Sequence, residues 1–314
     1  MFTNFPNGIT SFGVPVFGSS GAPVGLPGFD SNYGRTWWVD SYSGSDGNPG
    51  DGPNFPFLTM AKAFSLLQSG DVINFRGKIT EQLVTPVNVF DVWINGLGNR
   101  PRHADSSPVG GNIAAAQWAA PTSGGTAAQA TLRVLQQGWR FSNFLMTAID
   151  ANAACIEIVR NAGAGDAERD ASHASMLGMR FSGAGIGVRG GVAGTFTEIP
   201  YNVEIAYSQF DNMTTAISSA IECNAWSIHD NRFFANTNNI TMVIRAADIT
   251  NNVIAGATTN NIVLTGATGG NRITKNFLGG TFSIAGGYSS AAAGDEWWGN
   301  FADVAGGVTQ ADPA

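Results

Sequence analysis

Short bursts of alternating apolar and polar residues run through the second half of this chain, and the bursts recur about every two dozen residues. Four segments align: Ile205 to Phe210 (IAYSQF), Ile228 to Phe233 (IHDNRF), Ile249 to Ile254 (ITNNVI) and Ile273 to Leu278 (ITKNFL). Each opens on isoleucine, carries a small or amide residue three positions on and a large apolar residue five positions on, and successive isoleucines lie 23, 21 and 24 residues apart. A second isoleucine follows at Ile217, Ile240, Ile262 and Ile284, so each repeat holds at least two short strands. A period of this size predicts a solenoid, whose units bury their apolar faces only by stacking on one another. Strand alternation then turns Ile205, Ile228, Ile249 and Ile273 inward and Ala206, His229, Thr250 and Thr274 outward.

The pattern extends toward the N-terminus. Met176, Met179 and Phe181 repeat the offsets of zero, three and five, and Gly138 to Phe144 (GWRFSNF) reads as an earlier turn with a partner strand near Ile156 to Val159. The longer interval between Met176 and Ile205 requires insertions at Asn161 to His173 and at Gly190 to Pro200. Asn231, Asn252 and Asn276 share one phase of the repeat. They are expected either to hydrogen-bond in a column along the axis, where turning backbone leaves groups to satisfy, or to be ordinary turn asparagines. The stretch from Ser106 to Gln129, rich in Ala, Gly and Pro, reads as a long surface loop.

Ahead of the repeats, Thr36 to Tyr42 (TWWVDSY) reads as a strand, Ser43 to Asn54 as a turn-rich loop and Asp71 to Phe75 as a second strand. Between them, apolar residues at Phe57, Met60, Ala61, Phe64 and Leu67 have helical spacing. A helix there would cover the open apolar end of a coil of strands. Residues 1–34 lack periodicity but carry Phe2, Phe5, Phe12 and Phe17, which suits an arm that orders against a partner. The expected organisation is a docking arm at 1–34, an entrance strand and capping helix at 35–76, the coil at 77–290 and a C-terminal cap or tail at 291–314.

Composition narrows the function. Forty-one glycines in 314 residues and 12% charged residues fit tight turns between short strands. A formal net charge of −7 argues against a nucleic-acid partner, and no run is long and apolar enough to span a membrane. The opening residues lack the positive start and continuous apolar core of a secretory signal. Cys155 and Cys223 sit in apolar contexts without a metal-ligand spacing, so they are expected to be reduced and buried, with no metal site and no cofactor.

Three runs carry a resemblance: WWVDSYSGSDGNPG, PFLTMAKAFSLLQSGDVINFRGKITEQLVTP and VWINGLGNRPRHAD. Their order resembles the entrance of right-handed parallel β-helix proteins, and the opening NGITSFGVPVFGS is similar to the N-terminal arm of tailed-bacteriophage virion proteins of that architecture. The resemblance implies an all-β right-handed parallel β-helix with an N-terminal capping helix. It also implies a non-enzymatic structural virion protein, a head decoration or tail spike made in the bacterial host cytoplasm and carried on the particle surface. Capsid or tail proteins would be its partners, in a homo-oligomer, a trimer. The alternative is a tailspike that binds or depolymerises a host surface polysaccharide as a glycoside hydrolase or lyase.

A hydrolase needs two carboxylates about 5 to 9.5 Å apart, which adjacent turns could supply. The best-spaced acids are Asp230 and Asp248, with His229 beside them; the insertion holds Asp166, Glu168, Asp170, Arg169 and His173, with Glu198 on the next one. No acidic cluster recurs at turn spacing, as the calcium site of a lyase would require. Trp37, Trp38, Trp93, Trp118 and Trp139 are expected in the core or at its edges. Of the adjacent Trp297 and Trp298, alternation sends one inward and leaves the other for solvent or a neighbouring subunit.

Overall fold

Each inward isoleucine meets its counterpart one turn away. Ile205 lies opposite Ile228, Ile228 opposite Ile249, Ile249 opposite Ile273 and Ile273 opposite Trp297, all in parallel register. These pairings come from a computed structural model that describes residues 9–11, 14–17, 34–97, 116–121, 129–148, 150–161, 169–191, 198–219, 221–266, 269–280, 286–292, 294–303 and 308–310.

Three sheets run the length of the coil and make a right-handed parallel β-helix. The first runs from Thr36–Asp40 to Glu296–Trp298 and the second from Lys78–Thr80 to Asn300–Asp303. The third runs from Leu83–Val84 to Tyr288–Ser290, so a turn contains three strands. The residues five beyond the leading isoleucines stack in the second sheet, where Phe181, Phe210 and Phe233 lie ring on ring at 4.7 and 4.9 Å. Ile217, Ile240 and Ile262 stack in the third. Their next partner is Tyr288, because the last turn is longer than the sequence spacing suggested; Ile284 lies outside the described residues. The earlier turns align as expected, with Phe141 opposite Met176 and Ile156 opposite Val188.

The chain turns from the first sheet to the second through one residue of left-handed backbone. Asn143, Gly178, Tyr207, Asp230, Asn251, Lys275 and Gly299 occupy this place, with φ between 54° and 64°. The next residue points inward, and there the asparagines form a column. The backbone N–H of Asn231 donates to Asn252 Oδ1 at 2.9 Å, that of Asn252 to Asn276 Oδ1 at 2.9 Å, and that of Asn276 to Asn300 Oδ1 at 3.0 Å. Each Nδ2 donates to the carbonyl of an inward residue one turn back: Ile205, Ile228, Ile249 and Ile273. Ser208 continues the column upstream. The other two corners use the same device, through Asn236, Asn239 and Asn261 at one and Asn271 and Asp295 at the other. Most of these side chains replace ladder bonds that turning backbone gives up, while Asn239 links Asn236 to Asn261 side chain to side chain.

The N-terminal end is closed by side chains of the entrance segment. The helix covers only Met60–Phe64, shorter than the apolar spacing implied, because Phe57 is engaged in extended pairing: its N–H donates to Trp38 and its carbonyl accepts from Asp40. Thr59 caps the helix, and Glu81 accepts from the N–H groups of Met60 and Ala61. Phe64 packs against Trp118 and Trp139 with ring centres 6.0 and 5.7 Å away, so the helix seals the apolar end. Asp40 folds the following loop by accepting from Tyr42, Ser43 and Arg76, and Asp46 by accepting from Leu58 and Thr59. Burial alone would raise the Asp40 carboxyl; the hydrogen bonds from Ser43, Tyr42 and Arg76 outweigh it and hold the group below its ordinary value.

Three further expectations change. Gln117–Ala119, inside the stretch read as surface loop, is a strand of the second sheet with Trp118 fully buried. Past residue 290, Glu296–Trp298 and Asn300–Asp303 continue the sheets, and Val308–Gln310 pairs antiparallel with the latter, covering that edge. Within the N-terminal segment, Ile9–Ser11 and Val14–Phe17 form an antiparallel hairpin. Phe17 ends its second strand, and Phe2, Phe5 and Phe12 lie outside the described residues. Among the described residues no helix is long and apolar enough to cross a membrane.

Two substitutions test this account. Asn252→Leu leaves the Asn231 N–H and the Ile228 carbonyl unpaired, and is expected to cost about 2 to 4 kcal/mol in denaturant unfolding. Phe64→Ala empties a site between two buried indoles and is expected to cost about 3 to 5 kcal/mol.

Candidate functional site

The outward side of the first sheet presents two columns and a corner. One column reads Glu204, Ser227, Asp248, Arg272 and Glu296; the other reads Ala206, His229, Thr250, Thr274 and Trp298. Tyr207, Asp230, Asn251 and Lys275 follow at the left-handed corner. Because the register is parallel and unshifted, neighbours in a column come from adjacent turns.

Polar chemistry concentrates at His229. Its Nδ1 lies 2.8 Å from Asp230 Oδ2 and its Nε2 3.1 Å from Glu204 Oε1, with Tyr207 edge-on at a ring distance of 5.7 Å. Both ring nitrogens face carboxylates, an arrangement that the doubly protonated imidazolium satisfies best. Burial alone would lower the pKa of His229, but the hydrogen bonds to Asp230 and Glu204 and their charges outweigh it and raise the value above the ordinary 6.5.

Asp230 and Asp248, expected as a pair, have separate partners. Asp230 sits at the corner against His229, whereas Asp248 sits in the column before Ile249 and bonds Arg272 Nη2 at 2.9 Å. The acid that joins Asp230 is Glu204, and the imidazole fills the space between them. A glycosidic bond and its water need that space in a two-carboxylate hydrolysis. Glu204 stands in the column one residue before the leading isoleucines; its link to His229 is a diagonal contact between two columns, which spacing within one column does not show.

A second polar cluster gathers on Arg160. Its Nε lies 3.5 Å from Asp170 Oδ2 and 3.8 Å from Glu198 Oε2, its Nη1 donates to the Ile199 carbonyl, and its guanidinium stands 5.1 Å over the Tyr201 ring. The ring of His173 meets Tyr201 edge-on at 5.4 Å. Asp170, Glu198 and His173 thus come together as the insertions suggested, around an arginine and a tyrosine that the sequence reading passed over. Asp166 and Glu168 lie outside the described residues, as does the side chain of Arg169.

The remaining ion pairs fasten turns together. Arg180 binds Asp211 through two nitrogens, both at 3.0 Å, and Ser182 Oγ donates to the same carboxylate. Glu157, fully buried, is held between Arg133 and Arg189 from the turns on either side. Cys155 and Cys223 are free and buried, and burial pushes both thiols far above their ordinary range. Among the described residues no group of three His, Cys, Asp or Glu side chains is arranged to hold a metal ion. Trp297 fills the core against Ile273, so it is unavailable to a partner; Trp298 is 49% exposed, with Lys275 Nζ over its ring.

Because the folded-state pKa of His229 lies above 6.5, its contribution to stability is complete below that value and is lost as pH rises through the folded pKa. An NMR titration is expected to place the His229 midpoint above 6.5, and Glu204→Gln or Asp230→Asn to move it downward.

No family model matches the sequence, and no curated protein matches it. Several solved structures are similar to it over most of its length. Escherichia coli YbhC is similar at a TM-score of 0.47 and 10% identity, over 87% of this chain and 77% of that one. XylC, solved in complex with xylose, is similar at 0.43 and 9%, over 88% and 73%. Pectate lyase Pel9A is similar at 0.39 and 13%, over 88% and 75%.

Proposed function

We propose that the protein is a non-enzymatic structural component of a tailed-phage virion, a β-helical decoration or spike attached through residues 1–34. The non-enzymatic part rests on one observation: the acids best spaced for chemistry are each engaged by a structural partner. Asp230 and Glu204 share the imidazole of His229, Asp248 bonds Arg272, and Asp170 lies against Arg160. The phage assignment rests on the resemblance of the entrance and arm. In this reading the particle presents the coil at its surface, capsid or tail proteins hold the arm, and Trp298 contacts a neighbouring subunit of a trimer.

A second reading, a spike that binds a host surface polysaccharide, is favoured by the exposed apolar residues on the second sheet. Val253, Phe277 and Phe301 lie opposite one another on three successive turns, and each is at least 37% exposed.

The arm provides the test. Deleting residues 1–34 is expected to leave the β-sheet circular dichroism unchanged and to abolish incorporation into particles, scored by electron microscopy of purified virions. Incorporation of the shortened protein would refute the docking role.

A further inference from the structure

The outward face of the second sheet, toward the C-terminal end, carries a strip of unusual composition. One column reads Arg232, Val253, Phe277 and Phe301 in unbroken parallel register. The rings of Phe277 and Phe301 stack with centres 5.6 Å apart and planes 21° from parallel. Phe234, 49% exposed, leaves the same strand as Arg232, and Lys275 stands at the corner two residues before Phe277. Phenylalanine prefers the interior, so a column of exposed apolar side chains with consistent register marks a contact surface.

Charge identifies the occupant. The protein carries a formal net charge of −7, yet the strip begins at Arg232, and Lys275 stands at the adjoining corner with its ammonium over the Trp298 ring. The nearest acid of the corner column, Asp230, is already engaged by His229. An anionic partner with apolar faces matches this combination. Its shape is constrained too: successive positions in the column are about 4.8 Å apart along the axis, comparable with the length of one hexose unit. The C–H face of a sugar ring can lie on a phenyl ring while its carboxylate meets a guanidinium or ammonium group.

We propose that this strip binds an acidic polysaccharide, a linear chain bearing uronate or similar carboxylates, running parallel to the coil axis across Arg232, Val253, Phe277 and Phe301. The proposal rests on the second reading above and adds the face, the direction and the charge of the ligand.

Binding of the full-length protein to hyaluronate and polygalacturonate oligosaccharides, to dextran as a neutral chain and to single-stranded DNA as a non-saccharide polyanion tests it. The expected result is binding of at least one uronate chain that weakens as salt rises, with dextran and DNA at least about tenfold weaker. Phe277→Ser combined with Phe301→Ser, and separately Arg232→Gln, should each lower that affinity about tenfold without changing circular dichroism, while Phe55→Ser at the opposite end leaves it unchanged. Binding of dextran as tight as that of the uronate chains would overturn the acidic specificity and leave a glycan-binding spike standing. No binding to any saccharide would overturn both. DNA binding of equal strength, or a strip substitution that turns an oligomer into monomers, would overturn the proposal by assigning the strip to general anion attraction or to subunit contact.

Discussion

The coil depends on keeping backbone polar groups satisfied where the chain is not a strand. Parallel ladders look after the flat faces, but each turn has three corners at which N–H and C=O groups leave the ladder inside an apolar interior. An unpaired group there costs about 1 to 3 kcal/mol, and the corners recur on every turn. Stacked asparagines meet the need because one amide both accepts and donates: Asn252 accepts from the Asn231 N–H and donates to the Ile228 carbonyl. Phenyl stacking and isoleucine columns fill the volume, while the amides fix the register in which that filling occurs.

Register, in turn, decides what the surface can present. Once Ile228 is opposite Ile249, His229 must lie opposite Thr250 and Ser227 opposite Asp248. Surface chemistry on such a body is therefore laid out in columns with one residue per turn, and contacts such as His229 to Glu204 arise between columns. The body suits recognition along its length more than enclosure of a small substrate, and both proposed readings use it as a rigid platform.

The coil was legible because its signal is apolar identity at fixed offsets. Ile205, Ile228, Ile249 and Ile273, the residues five beyond them and the asparagines at offset three all stand where spacing put them. Legibility failed where a structural role rests on one residue or on irregular turn length. Gln117–Ala119 has Trp118 as its single large apolar side chain, among alanines, and so reads as loop. Phe57 fits a helical spacing, yet its backbone is taken by Trp38 and Asp40. Glu157 meets arginines 24 and 32 residues away, on turns of unequal length, so no period announces the triad. At the site, the sequence supplied Asp230, Asp248 and His229 but not Glu204 and Arg272, which geometry across turns brings to them.

The left-handed corner has a consequence for how such a protein can diversify. Asparagine, glycine, tyrosine, aspartate and lysine occupy the same backbone conformation at successive corners of one molecule. The penalty for that conformation, about 1 to 2 kcal/mol for a residue with a Cβ and less for asparagine and aspartate, whose side chains bond locally, is small beside the stability of the stacked turns. The corner column is therefore a row of positions where inheritance can exchange phenol for carboxylate or ammonium while the amide beneath keeps the turn in place. Descendants of such a coil could change what they recognise without relearning how to fold.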